Sequence, residues 1–240
     1  MSAFTEYFKD FQQLNTSDGI NLEIHSCPEL IDCIHQVGFL PLLDSGITGF
    51  SAEGLMAEEC RFTEFADGTW QWPLWQWKGP VVTDGGCVYG KFFNSKAGFI
   101  SLEWWPDLLN WRRSRHPVPE QGTIEDAILC ILREHGRMIA RELRAACDFT
   151  GPKMRSRFDA YISRMQMGCH IVTEDFVYPR DKHGHEYGFG WSLLTTPERL
   201  LGRDACRCYR TPAESHQRMI DHLTHILPFA TAAQIEKLIK

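Results

Sequence analysis

TIEDAILCILREHGRMIARELRAACDFTGPKMRSRFDAYISRMQMGCHIVTEDFVY, Thr123 to Tyr178, is the stretch that decides the fold. It opens with Ile124, Ile128, Ile131 and Leu132 at i, i+4, i+7 and i+8, the apolar stripe of a helix. Thr123 caps that helix, Glu125 and Asp126 suit the positive end of its dipole, and Gly136 ends it. A second helix is expected from Met138 to Ala146, burying Ile139 and Leu143 and breaking at the DFTGP run, Asp148 to Pro152. The third has Pro152 in its first position, where a missing N–H costs nothing. Beyond Gly168, CHIVTEDFVY and EYGFGWSLL read as strands on either side of a charged tip, PRDKHGH. Helix, helix, helix and hairpin is the order of a winged helix-turn-helix. Such a unit sets its third helix in the DNA major groove and lets its hairpin reach phosphate or the minor groove.

The charges agree with that use. At about 100° per residue, Lys153, Arg157 and Arg164 share one stripe of the third helix, beside an apolar face of Met154, Phe158, Tyr161, Ile162 and Met165. Arg155 lies elsewhere, near the N-terminal end. The hairpin tip adds Arg180, Lys182, His183 and His185, so two elements are candidates for phosphate contact. The competing reading is a solvated helix face on a protein-docking module, since a fold does not fix a function.

The net charge of −6 hides a regional contrast. Residues 1–136 carry 9 basic against 19 acidic side chains, whereas residues 137–218 carry 14 against 10. The cationic excess therefore coincides with the winged-helix segment. At 240 residues the chain suits two modest domains or one elaborate one, and its 43% hydrophobic content is that of a folded globular protein. The expected division is an acidic, tryptophan-rich α+β part over 1–118, the winged helix over 119–204, and a helical tail over 205–240. A second winged-helix-like unit is the alternative for the first part.

Within that first part, ELIDCIHQV (Glu29–Val37) has helical spacing after Ser26 and Pro28, and a short strand and a loop near Asp44–Gly49 follow. VYGKFF and KAGFISLEWW, joined by Asn94–Ser95, form a tight hairpin, and WPDLLNWRR a short helix. At the other end, TPAE (Thr211–Glu214) and TAAQ (Thr231–Gln234) are capping boxes. The first of those helices has an apolar face of Met219, Ile220, Leu223, Ile226 and Leu227. These tail helices serve as a brace or as a contact between two copies of the chain.

No apolar run reaches the roughly 20 residues of a membrane span, and MSAFTEYFKDFQQL lacks the pattern of a secretory signal, so a cytoplasmic protein with no membrane partner is expected. The nine cysteines lack CxxC pairs and are expected as reduced thiols. Cys206-x-Cys208, His183-x-His185 and His222-x-x-His225 are isolated pairs, so no metal site is expected. No phosphate-loop, dinucleotide, zincin or serine-hydrolase motif occurs, and no cofactor is expected.

Seven of the eight tryptophans fall within residues 70–111. In TWQWPLWQWK, Thr69 to Lys78, Trp70 and Trp72, like Trp75 and Trp77, are two apart and would share a side of an extended chain. Core is the expected role for most, with one or two exposed. Such rings also stack unpaired bases, at about 1–3 kcal/mol per base.

VGFLPLL (37–43), ITGFS (47–51), YGKFFNSKAGFIS (89–101), WPDLLNWRR (105–113) and YGFGWSLLTTPERLLG (187–202) resemble bacterial AlkZ-related proteins, distant relatives of the AlkZ winged-helix DNA glycosylases. The resemblance covers about residues 35–204 and implies stacked winged-helix units, duplex DNA as partner and a role in DNA repair. It does not carry over a catalytic site: AlkZ glycosylases act through a Gln-x-Gln motif, and none occurs here, Gln71 and Gln76 being the nearest substitute. A glycosylase must extrude a base, stack it and stabilise the sugar cation. Trp75 and Trp77 with Gln76, Tyr89 and Lys91 are the candidates for such a pocket. The readings carried forward are a DNA-binding winged-helix protein, a glycosylase for alkylated bases, and a non-catalytic protein-interaction module.

Overall fold

The computed structural model describes residues 22–44, 46–68, 70–151, 153–184 and 190–240. Helix α1 (Cys27–Val37) starts where the Ser26 hydroxyl accepts a hydrogen bond from the Glu29 amide, and it buries Leu30, Ile34 and Val37 as its spacing predicts, with Cys33 beside them and Ile31 half-buried. Gly38, at φ 74°, turns the chain into β1 (Phe39–Pro41). A Cβ there would lie 2.4 Å from the Trp104 ring, so both the turn and the packing require glycine.

Next come α2 (Ala52–Leu55), a ribbon of β2 (Thr63–Glu64) and β3 (Trp70–Gln71), and α3 (Pro73–Asp84). Helix α3 overturns the extended reading of the tryptophan stretch. Pro73 stands at its first turn, where proline starts a helix instead of interrupting a strand. Trp75 and Trp77 therefore point about 160° apart, to nearly opposite sides of the helix.

Strands β4 (Cys87–Phe93) and β5 (Lys96–Ser101) form the expected hairpin, with Asn94 and Ser95 at φ 51° and 65°. Two left-handed residues are what a two-residue turn needs to match the strand twist. Helix α4 (Trp105–Arg115) follows.

The deciding stretch gives α5 (Ile124–His135), β6 (Arg137–Ile139), α6 (Ala140–Ala146), α7 (Met154–Met167), β7 (Val172–Val177) and β8 (Trp191–Thr195). Thr123 and Gly136 cap α5 as expected. The second helix begins later than its pattern suggests, because Arg137 to Ile139 pair with Leu193 to Thr195 instead of coiling. Helix α7 has Lys153 at its N-cap; Pro152, expected in its first position, lies outside the described residues, as does His185 of the hairpin tip. The chain continues through α8 (Pro197–Leu201), α9 (Pro212–Ile226) and α10 (Ala232–Ile239), the last two with both capping boxes formed.

One antiparallel sheet runs β1-β5-β4-β7-β8-β6. Its two halves meet where Tyr89 of β4 faces Thr173 of β7. Helices pack around it, giving an α+β architecture with two apolar cores. The larger includes Ile34, Phe39, Phe99 and Trp105 with Leu223 and Leu238 of the tail, whereas the smaller lies wholly between Ile128 and Leu194. Arg112, completely buried, ties three regions together: it donates to the carbonyls of Phe92, Met167, Leu238 and Ile239. Among the described residues, no helix is long and apolar enough to cross a membrane.

Candidate nucleic-acid interface

Helix α7 is amphipathic for a local reason. Phe158, Ile162 and Met165 turn into the smaller core, which leaves the intervening positions to solvent. Lys153, Arg155 and Arg157 are exposed there, and Arg155 lies 3.9 Å from Asp159, a loose surface pair worth little. Arg164, the third member of the expected stripe, has a different job. It donates to Glu125 at 2.9 Å and stacks 4.5 Å over the Tyr161 ring, pinning α7 to the first turn of α5. Glu125 suits the α5 dipole, so the same carboxylate that starts one helix neutralises the cation on another.

The β7–β8 tip exposes Arg180, Lys182 and His183. Asp181 holds its bend by accepting from the His183 amide at 2.7 Å, and Gly184 turns the chain at φ 85°. The basic side chains predicted for phosphate contact are thus mostly on the surface, with Arg164 committed to an ion pair.

The tryptophans divide as expected. Trp104 and Trp105 are buried, Trp72, Trp75, Trp77 and Trp111 are half-buried against the larger core, and Trp70 is 49% exposed. Trp72 stacks on Trp75 at 4.9 Å and donates its indole N–H to Glu53 at 2.8 Å.

The five pocket candidates do not converge. Gln76 is exposed on α3, on a different side from Trp75, and Trp77 points away around the helix. Lys91 donates from Nζ to Ser163 at 3.1 Å, while its amide donates to Gln166 at 3.2 Å, so it fastens β4 to α7. Tyr89 is buried, its phenol pushed well above the usual range by burial and by nearby Tyr178. Tyr89 lies 5.4 Å from the Phe176 ring.

Lys78 lies between Trp75 and Phe176 and is not among the residues that the sequence singles out. Its ammonium sits 3.4 Å over Trp75 and 3.9 Å over Phe176, with 1% exposure. Burial lowers its pKa to about 7, because the rings replace only part of the lost hydration. Once Pro73 is read as a helix start, Lys78 falls three residues after Trp75 on the same face, and that was the available signal.

No curated protein and no solved structure matches the chain. The stretches YGKFFNSKAGFIS and WPDLLNWRR build β4, β5 and α4, which carry the larger core and Arg112, and the likeness they show extends far past them. The model of the AlkZ-related family matches residues 24–240, and the chain belongs to that family.

Proposed function

We propose that the protein binds duplex DNA through a winged helix formed by α5, β6, α6, α7, β7 and β8, as a relative of DNA glycosylases. The observation that carries this reading is the outer surface of α7, where Lys153, Arg155 and Arg157 stand exposed on the third helix of a helix, strand, helix, helix, hairpin series. The hairpin tip, with Arg180, Lys182 and His183, offers a second phosphate contact. Membership of the AlkZ-related family supports the assignment to DNA. The smaller core, confined to residues 128–194, supports treating 119–204 as the winged-helix unit between the tryptophan-rich part and the tail.

The test is fluorescence anisotropy of labelled duplex over a salt series. The Lys153→Ala/Arg155→Ala/Arg157→Ala variant should bind more weakly and lose about one unit of log–log salt slope per phosphate contact removed. Equal slopes in wild type and variant would defeat the proposal. Base excision has less support, because Gln76, Tyr89 and Lys91 do not share a pocket. Incubation with alkylated duplex should accordingly leave no abasic sites above the protein-free control.

A further inference from the structure

A cleft of about 670 Å³ opens between α4, α5 and α8, and it uses none of the residues assigned above to DNA. Arg113, Arg133, Arg199 and Arg203 line it, with Glu198 as its one carboxylate. That carboxylate is engaged: Arg113 donates to it from Nη1 and to the Cys169 carbonyl from Nη2, the latter at 2.9 Å. Among the described residues, no carboxylate lies within ion-pair distance of Arg133, Arg199 or Arg203.

Arg199 is exposed, with a glycine beneath it. Its guanidinium lies against Gly136, where a Cβ would come within 2.4 Å of Cζ. Gly136 also takes φ 83° to close α5, so one glycine both ends that helix and makes room for the cation. On the neighbouring wall, His170 donates from Nε2 to the His116 carbonyl at 2.9 Å, and burial together with Arg113 favours its neutral form. Leu129 and Val118 supply an apolar side.

Three guanidinium groups with no carboxylate in ion-pair distance thus line one cleft, beside Arg113. Planar forks match phosphate oxygens in pairs, and a phosphate's multiple oxygens and charge serve several arginines where a lone carboxylate serves fewer. The volume lies within the usual range for a small-molecule site, roughly 300–1,000 Å³. We infer that this cleft is a phosphate-binding site, taking the phosphate of a nucleic-acid backbone or of a free phosphorylated small molecule.

The experiment is calorimetric titration of the full chain with inorganic pyrophosphate at low ionic strength. Wild type should bind saturably. Arg133→Gln/Arg203→Gln, which changes two exposed side chains, should weaken binding at least about tenfold while melting like wild type. Arg133→Lys/Arg203→Lys should retain part of the affinity. Lys153→Ala/Arg157→Ala should bind pyrophosphate as wild type does, which separates this site from α7 and lets either fail alone. No saturable binding by wild type, or equal affinity in Arg133→Gln/Arg203→Gln, overturns the inference. A competition arm then names the source: pyrophosphate that displaces labelled duplex assigns the cleft to a nucleic-acid backbone, and pyrophosphate that binds beside the duplex, or to a chain without DNA affinity, assigns it to a free ligand.

Discussion

Lys78 and Arg112 are buried cations held in opposite ways, and their substitutions should move stability in opposite directions. Lys78 rests between aromatic faces, and its pKa falls from 10.5 to about 7. Because the unfolded chain holds this proton between about pH 7 and 10.5 and the folded chain does not, stability rises with pH across that window; below pH 7 the cost of burying the charge is complete. Lys78→Met should remove that slope and raise the melting temperature at pH 7 by roughly 2–4 °C per kcal/mol recovered, which paired thermal melts across pH would read. A variant with the wild-type slope would show that the amine is not the titrating group. Arg112 instead satisfies carbonyls of Phe92, Met167, Leu238 and Ile239, which no apolar side chain can replace. Arg112→Met should cost about 3 kcal/mol or more in urea unfolding, and Arg112→Lys should not restore it, since an ammonium reaches fewer of those acceptors at once.

The hairpin turn between β4 and β5 shows how closely a local sequence can fix an element. Asn94 and Ser95 both adopt positive φ, which asparagine tolerates and serine does not favour. Ser95→Gly should therefore stabilise by about 0.5 kcal/mol, seen as a higher urea midpoint with an unchanged m value. Elements whose signals lie within a few residues were legible in the same way: the Ser26, Thr123, Thr211 and Thr231 caps and the helices they start all form. Two readings failed where a distant partner or a dual-purpose residue decided. Met138 and Ile139 carry a helix-like pattern, but β8 supplies hydrogen bonds that no local pattern reveals. Pro73 fits either a strand break or a helix start, and the choice relocated Trp75, Trp77 and Lys78 together. Of the candidate interface, the exposure of Lys153 and Arg157 followed from spacing. The Arg164–Glu125 pair and the Lys91–Ser163 contact did not, because each links elements far apart in sequence.

The shared sheet makes the halves of the protein depend on each other. Strand β7 belongs to the hairpin of one half, yet it pairs with β4 of the other, and its Val172 and Phe176 fill the larger core. The chain should therefore unfold in one calorimetric transition, with calorimetric and van't Hoff enthalpies in agreement. Two resolved transitions would instead mark the two cores as separate cooperative units. A fragment of residues 119–204 would bare the β7 edge and those two side chains, and it should associate with itself more readily than the whole chain does.

Arg112 also sets an order of events during synthesis. Its acceptors come from Phe92, Met167 and the turn at Leu238 and Ile239, so the first is made before the arginine, the second 55 residues after it and the last 127 residues after it. A nascent chain that has not yet released α10 from the ribosome must either hold a desolvated guanidinium short of acceptors or keep the region around it open to water. The second course is less costly. Chaperone occupancy should accordingly persist until the tail emerges, and a premature stop that removes α10 should send the product to proteolysis although the sheet and every other helix are encoded intact.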